Sequence, residues 1–259
     1  MASGDGGTED SSKLTAFQLE VARLFFGLPQ SKGFLLSGGA ALLAQHLTTR
    51  PTEDLDFFTA PEHGHVPAAR DALEGAARQR GWSTERIHDS DTFCRLIISG
   101  GATRVLVDLA VNAPPDFPAS PTAAGPTLAP EELAGHKLLA LFDRAAARDF
   151  ADVYVLARRF GKNVLLARAI QIDAGFDTRV LAGMLATLDR FTDSEIPLPD
   201  DSSATELRAF YDAWLRPSTT SQPNTRTTNK YSRRTDTSRH HAPSRRVRQI
   251  PAQRPCIEF

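Results

Sequence analysis

The first half of the chain carries hydrophobic patterns typical of both helices and strands. Apolar residues recur at helical spacing in residues 13–28, and residues 68–80 form an Ala-rich helical stretch. Short apolar or β-branched runs predict four strands and one intervening helix: strands at residues 33–36, 55–59, 93–99 and 104–111, and a helix at residues 40–47. Gly100-Gly101 separates the last two strands and predicts a hairpin. The pattern therefore predicts an α/β domain over residues 1–112.

The second half of the chain is helical and begins after a proline-rich stretch. Residues 113–130 contain six prolines and predict an extended linker. Five segments with helical periodicity follow: residues 131–147, 150–160, 164–170, 178–188 and 204–215. Residues 131–216 are therefore expected to form a helical bundle, which makes the molecule bilobed.

The hydrophobic period stops after Trp214 and Leu215. Residues 217–259 are rich in Thr, Ser, Pro, Arg, Asn and Gln, which predicts a tail that is disordered in isolation. The tail holds nine Lys and Arg residues and two Asp and Glu residues. The first 216 residues hold 21 Lys and Arg residues and 29 Asp and Glu residues. The acidic body argues against generic DNA binding, while the basic tail leaves room for a nucleic-acid contact.

The composition narrows the class of protein. With 41% hydrophobic and 24% charged residues, the chain has an ordinary globular composition. Cys94 and Cys256 are too few for a disulfide framework or a four-thiolate zinc site. The apolar runs are too short to span a bilayer, and residues 1–12 show no apolar signal region. We therefore expect a cytoplasmic protein with no membrane partner.

Two carboxylates share one side of a predicted strand. Because successive strand side chains alternate between faces, Asp54 and Asp56 project together while Leu55 and Phe57 point into a core. Carboxylates placed so closely repel each other unless a cation lies between them, and Mg²⁺ prefers carboxylate oxygens. A strand end whose acids face water is the alternative interpretation.

A glycine turn precedes this pair along the chain. Ser37, Gly38 and Gly39 lie between a predicted strand and a predicted helix. Glycine allows a ligand to approach the backbone, and free N–H groups at the start of a helix suit phosphate. A plain tight connection would also have this sequence. The P-loop and dinucleotide-binding glycine motifs are both absent from the chain.

Asp108 and Lys137 extend the set of candidate residues. Asp108 interrupts an apolar strand, so it should be paired or bound to metal, and an ion pair with Arg104 on the same face is the alternative. Lys137 is suited to hold a triphosphate oxygen and to stabilise the charge of a leaving pyrophosphate. Helical spacing places Lys137, Arg144 and Arg148 on one face of a predicted single helix.

Four ordered motifs resemble the AbiEii/AbiGii family of nucleotidyltransferase-like toxins, and the pattern is similar to that of the MenT toxins. The motifs are Ser37-Gly38-Gly39, Arg50-x-Thr52-x-Asp54-Leu55-Asp56-Phe57, Lys137-Leu138 and Arg148-Asp149-Phe150-x-Asp152-Val153. The resemblance covers about residues 33–188. It implies a bilobed α/β (α+β) fold: an N-terminal DNA polymerase β-like nucleotidyltransferase domain with a mixed sheet, followed by a C-terminal helical bundle.

The resemblance also implies roles for individual residues. Asp54 and Asp56 would bind Mg²⁺ or Mn²⁺, and Asp108 would be a third metal ligand by its position in a strand. The nucleotide would be held by the glycine turn and by two cations: Ser37, Gly38, Gly39, Arg50 and Lys137. Catalytic roles would fall to Asp54, Asp56, Lys137 and Asp152. Since no lysine lies between Gly39 and Asp54, Arg50 either contacts the triphosphate or braces the carboxylates.

The function that the resemblance implies is that of a toxin in a toxin–antitoxin system. Such an enzyme would transfer nucleoside monophosphates from an NTP to the 3′ acceptor end of tRNA and so block aminoacylation and growth. A cognate antitoxin is the expected partner, beside NTP and tRNA. Two alternatives stay open: a nucleotidyltransferase acting on a small molecule or protein, and a non-catalytic nucleic-acid-binding relative.

Overall fold

The computed structural model describes residues 13–199 and 202–216. The tail predicted at residues 217–259 lies outside the described residues. None of the helices in the described part of the chain is both long and apolar enough to cross a membrane.

Seven strands form one mixed sheet in the order β3-β4-β5-β2-β1-β7-β6. The strands are β1 Phe34–Ser37, β2 Asp54–Thr59, β3 Ser83–Asp89, β4 Phe93–Gly100, β5 Thr103–Val111, β6 Ser120–Thr122 and β7 Gly125–Thr127. β2 pairs with β5, and β1 with β7, in parallel; the other neighbours are antiparallel. The predicted hairpin of β4 and β5 is confirmed, whereas β3 is a strand that the sequence pattern did not indicate.

The described residues contain eight α-helices in addition to the sheet. They are α1 Ala16–Phe26, α2 Gly38–Ala44, α3 Val66–Gln79, α4 Pro130–Arg144, α5 Ala147–Phe160, α6 Lys162–Ile172, α7 Thr178–Leu185 and α8 Ala204–Leu215, with short 3-10 turns at Pro29–Ser31, Ala186–Arg190 and Asp193–Glu195. These helices and the mixed sheet confirm the predicted fold class, an α/β domain followed by a helical bundle.

The two faces of the sheet differ in chemistry because side chains alternate along each strand. On one face, Phe25 of α1 packs against Phe34 and Phe57, with ring centroids 5.4 and 4.2 Å away. This face holds the main core, and Leu55 and Phe57 are fully buried there. The acidic residues of β2 and β5 and Ser37 of β1 therefore project from the opposite face, toward the helical half of the chain.

The segment predicted as a linker, residues 113–130, contributes to the sheet. β6 and β7 form a short hairpin, and β7 pairs with β1 through Leu36 and Thr127. Leu128 donates its backbone N–H to the Leu36 carbonyl at 2.9 Å. These residues therefore do more than connect the two halves, because they carry the chain from the sheet directly into α4.

The helix predicted over residues 131–147 ends earlier than expected. α4 stops at Arg144, and Ala145 adopts a left-handed conformation with φ 46°. α5 then begins at Ala147. The expectation that Arg148 shares a helix face with Lys137 is therefore wrong, because a left-handed residue separates the two helices.

Aromatic residues of the helical lobe pack together within the one hydrophobic core that continues from the sheet. The Tyr211 ring packs edge-on against Phe150 at 5.2 Å, and its hydroxyl donates to the Phe150 carbonyl at 2.7 Å. Phe150 belongs to α5 and Tyr211 to α8, so this contact fixes the last helix on the first turn of α5. The same turn carries Asp149, and the next turn carries Asp152.

Candidate active site

One row of polar residues crosses four neighbouring strands. Strand pairing aligns Ser37 of β1 with Asp56 of β2, Asp56 with Asp108 of β5, and Asp108 with Arg95 of β4. Paired residues on adjacent strands point to the same face and lie about 5 Å apart. Three residues that the sequence analysis singled out separately therefore stand side by side, together with Arg95, which it did not identify.

Asp54 joins this row on the same face. It lies two residues before Asp56 on β2, and the Thr52 hydroxyl donates a hydrogen bond to its Oδ1. The Thr52 carbonyl in turn accepts a hydrogen bond from Gln18 Nε2 of α1 at 2.7 Å. Both carboxylates of the predicted pair are thus brought together, and α1 anchors the loop that leads into them.

The glycine turn approaches the carboxylates so closely that side chains are excluded. Gly38 has φ 63°, and a Cβ built there would overlap the Asp56 carboxylate. A Cβ on Gly39 would lie 2.6 Å from Thr52 Oγ1. Ser37 is buried, and its side chain does not cap α2. The turn and the carboxylate pair therefore form one continuous polar surface.

Asp56 occupies the most electrostatically strained position of the group. Burial raises its pKa to about 8, and the charges of Asp54 and Asp108 add to the shift. Lys137 and Arg144, from the helical lobe, act in the opposite direction. Crowded acids whose ionised forms are disfavoured in this way are a suitable environment for a divalent cation.

Asp108 has a different partner from those expected. Its carboxylate accepts hydrogen bonds from Arg95 Nε at 2.9 Å and Arg95 Nη2 at 2.7 Å. The alternative of a pair with Arg104 is therefore wrong, because the neighbouring strand places Arg95 directly opposite Asp108. Both oxygens of Asp108 are engaged by this guanidinium, whereas Asp54 and Asp56 form no salt bridge within the part of the chain that the structure describes.

Asp54 and Asp56 suit a hard divalent cation whose other ligands are water and substrate phosphates. Within residues 13–199 and 202–216, no three His, Cys, Asp or Glu side chains are arranged to hold a metal ion. Mg²⁺, however, is commonly bound by one or two carboxylates together with substrate phosphates and water. Asp54 and Asp56 supply that number of oxygen ligands.

A buried ion cluster connects the two lobes beside this surface. Asp152 of α5 accepts hydrogen bonds from Arg50 Nε at 3.1 Å and Arg50 Nη2 at 3.0 Å, and Lys137 Nζ lies 2.8 Å from the same carboxylate. Asp152 is 1% exposed. Burial alone would raise its pKa, but the charges of Lys137 and Arg50 lower the pKa overall.

The cluster gives Arg50 a partner that differs from both roles considered for it. Its Nη1 donates to the Pro51 carbonyl at 2.8 Å, and its other contacts are with Asp152. Arg50 therefore braces the carboxylate of Asp152, which lies outside the Asp54 and Asp56 pair that the sequence analysis considered. Asp152 is held ionised by two cations, so it is better suited to positioning Arg50 and Lys137 than to accepting a proton.

A second buried pair stabilises the junction between α4 and α5. Arg144 donates to both oxygens of Asp149 at 2.8 and 2.9 Å, and Asp149 also accepts the Ala146 N–H at 3.3 Å. Asp149 thus lies in the first turn of α5 and caps its N-terminus through the Ala146 N–H. The pair brings Arg144 within electrostatic reach of Asp54 and Asp56.

Replacing Gly38 with alanine should damage the site directly. Gly38→Ala places a methyl group against Asp56 and requires a positive φ, so the free energy of unfolding should fall by about 1–3 kcal/mol. Denaturant unfolding and Mg²⁺ titration would measure both effects. Gly183→Ala is the matched control, since Gly183 lies in α7 with open space around it and should tolerate the change. Equal effects of the two changes would contradict the contact.

Asp56→Asn should stabilise the metal-free protein as the pH rises. The folded state favours the protonated form of Asp56, whose pKa there is about 8, whereas an ordinary Asp carboxyl has a pKa near 3.8. The resulting contribution to the free energy of unfolding is complete below pH 3.8 and is lost as the pH rises toward about 8. The variant does not titrate there. With EDTA present, the difference in free energy of unfolding between Asp56→Asn and the wild type should grow across this window, in favour of the variant, to roughly a few kcal/mol. A difference between the two proteins that does not change with pH would refute the electrostatic assignment.

Asp152→Ala should lower the free energy of unfolding by about 3–5 kcal/mol, because two buried cations lose their partner. Asp189→Ala is the control, since Asp189 is 95% exposed and 3.7 Å from Arg208. That pair should contribute no more than about 1 kcal/mol. Chemical denaturation of both variants makes the comparison, and a similar loss in each would show that the interlobe cluster is not stabilising.

Three solved structures are similar to this chain, and the first of them supports the fold. JHP933 from Helicobacter pylori is 17% identical over 78% of this chain and 92% of its own length, with a TM-score of 0.50. MenT4, the nucleotidyltransferase toxin Rv2826c of Mycobacterium tuberculosis H37Rv, is 14% identical over 78% of this chain and 89% of its own, with a TM-score of 0.45. The antibiotic-resistance factor ANT(2'')-Ia is 14% identical over 60% of this chain and 91% of its own, with a TM-score of 0.43.

Sequence comparison identifies the family. No curated protein matches the chain significantly. The sequence model described as "Nucleotidyl transferase AbiEii toxin, Type IV TA system" matches residues 23–237, which is most of the 259 residues and confirms the resemblance drawn from the motifs. The chain therefore belongs to the AbiEii family of nucleotidyltransferase toxins.

Proposed function

We propose that this nucleotidyltransferase toxin transfers a nucleoside monophosphate from an NTP to the 3′ end of tRNA, and that this blocks aminoacylation and growth. Family membership supports the class of reaction. The observation that carries the chemistry is the position of Asp54 and Asp56 against the Gly38 backbone. The tRNA acceptor follows from the resemblance of the motifs to those of the MenT toxins.

Asp54 and Asp56 are the proposed ligands of Mg²⁺ or Mn²⁺. When bound, the cation would neutralise charge on the phosphates and supply Lewis-acid stabilisation. Thr52 fixes the orientation of the Asp54 carboxylate, and Gly38 fixes that of Asp56 by close packing. Both carboxylates are therefore oriented before any ligand arrives, which reduces the cost of assembling the site.

Ser37, Gly38, Gly39 and Lys137 are the proposed contacts of the triphosphate. The glycine turn offers backbone N–H groups without side chains in the way, and Ser37 lies in the same row as Asp56. Lys137 bonds to Asp152 through one of its three donors, so the ammonium group retains capacity for a phosphate oxygen. Its positive charge would stabilise the pyrophosphate as it leaves.

The transfer step follows from this arrangement. The oxygen of the 3′ hydroxyl bonds to the α-phosphorus, the bond from that phosphorus to the bridging oxygen breaks, and pyrophosphate leaves with the electron pair. Asp108 stands on the opposite side of Asp56 from Ser37 and is held there by Arg95, so it is proposed to orient the attacking hydroxyl through a further hydrogen bond, while the hydroxyl proton leaves to solvent. Arg50 and Asp152 act as positioning residues for Lys137.

A cognate antitoxin is the proposed protein partner, because the family is described as a type IV toxin–antitoxin system. In the absence of that partner, expression of the active protein should arrest growth. Arrest that depends on Asp54 and Asp56 would connect the toxicity to the chemistry.

Incubation with labelled NTPs, total tRNA and Mg²⁺ tests the proposal. The wild-type protein should label tRNA at the 3′ end, and the double variant Asp54→Ala/Asp56→Ala should lose at least about a thousandfold in rate while remaining folded. The matched control is Asp189→Ala/Asp212→Ala, which removes two exposed acids and should keep full activity.

Two outcomes would count against the proposal. Labelling of a small molecule or a protein, with every RNA left unmodified, would move the acceptor to a different class. Full activity of the Asp54→Ala/Asp56→Ala variant would remove the carboxylate pair from the mechanism.

A further inference from the structure

The polar row that crosses the active site continues beyond Asp108. On β4 it reaches Arg95, and on β3 it reaches His88, which pairs with Arg95. Phe93 lies two residues before Arg95 and therefore on the same face. We call His88, Phe93 and Arg95 the side platform.

Contacts within the side platform confirm that its three members share a face. The His88 and Phe93 rings lie 5.3 Å apart, and the Arg95 guanidinium lies 5.6 Å from the Phe93 centroid. A β-bulge between Arg86 and His88 brings His88 into register with Arg95. Without that extra residue, the imidazole would face the other side of the sheet.

The side platform differs from the rest of its strands in exposure. His88 is exposed, and Phe93 and Arg95 are half-buried, whereas Cys94 and Leu96 on the opposite face are fully buried. Two rings and a cation therefore lie at the surface next to a buried carboxylate. Stability does not require this composition, because the core of these strands lies on the other face.

In an in-line displacement, the attacking group and the leaving group lie on opposite sides of the phosphorus. This geometry determines which substrate would reach the side platform, an inference that rests on the proposed function. The triphosphate is assigned to Ser37 and Gly38, so pyrophosphate leaves on that side of Asp56. The attacking hydroxyl must approach from the opposite side. Along the row, the opposite side is that of Asp108, followed by Arg95 and His88.

We propose that the side platform is the binding site for the terminal nucleotides of the acceptor RNA. Phe93 and His88 would stack on a base, and the planar guanidinium of Arg95, held by Asp108, would extend the stacking surface. Aromatic rings interleaved with arginine are the usual means of holding single-stranded nucleic acid without reading its sequence. A polycationic small acceptor would instead favour a surface of exposed acids.

Kinetics with separate variation of RNA and NTP tests this assignment. Phe93→Ala and His88→Ala should each raise the KM for RNA about tenfold, in line with the loss of one stacking contact. The KM for NTP should stay within about twofold. The matched controls are Phe117→Ala and His63→Ala, which remove exposed rings of the same types elsewhere. Circular dichroism would verify that all four variants fold.

A binding experiment that does not depend on turnover separates this inference from the proposed function. An RNA that ends in 4-thiouridine should crosslink to the side platform in the Asp54→Ala/Asp56→Ala variant, and peptide mapping should place the adduct at β3 or β4. Adducts confined to other elements, or unchanged KM values in Phe93→Ala and His88→Ala, would overturn the inference while RNA labelling still stands. A wild-type protein that labels no RNA would overturn both.

Discussion

The register between β1, β2 and β5 is the constraint on which the candidate active site depends. A shift of one residue in a strand pairing moves every side chain to the opposite face. Such a shift in β2 would bury Asp56 against α1 and expose Phe57, which is now fully buried beside Phe25. The register is therefore set by the apolar residues that the reaction does not use. The core on one face determines where the carboxylates on the other face point, and hence that Ser37 and Asp108 stand on either side of Asp56.

Clustering acids on one face is electrostatically unfavourable, and the fold offsets the cost with cations from several elements. Arg95 neutralises Asp108 from the neighbouring strand, while Lys137 and Arg144 act on Asp56 from the helical lobe. Each of these cations is itself held by an acid, as Lys137 is by Asp152. Because such pairs are buried, each depends on its partner far more than a surface pair would. The result is a surface on which only two carboxylates remain available to a cation.

The sequence was sufficient for the parts of the site that lie close together in the chain. Alternation along β2 predicted that Asp54 and Asp56 would share a face, and the strand, glycine and helix pattern predicted the turn at residues 37–39. Partners from distant segments were not predictable in this way, because they depend on strand pairing and lobe packing. Arg95 meets Asp108 only through the hairpin register, and the sequence pointed to Arg104 instead. The break after Arg144 depends on one left-handed alanine, which has no signature in composition.

The contact among Arg50, Lys137 and Asp152 has a consequence for how such a chain can diverge. Arg50 belongs to the loop before β2, whereas Lys137 and Asp152 belong to two different helices of the other lobe. A substitution at any one of them leaves the remaining charges buried without balance. Random drift in either lobe is therefore constrained by the other, and recombination that exchanged whole lobes between distant relatives would separate the three residues. The two halves are expected to be inherited as one unit, with these positions changing together or not at all.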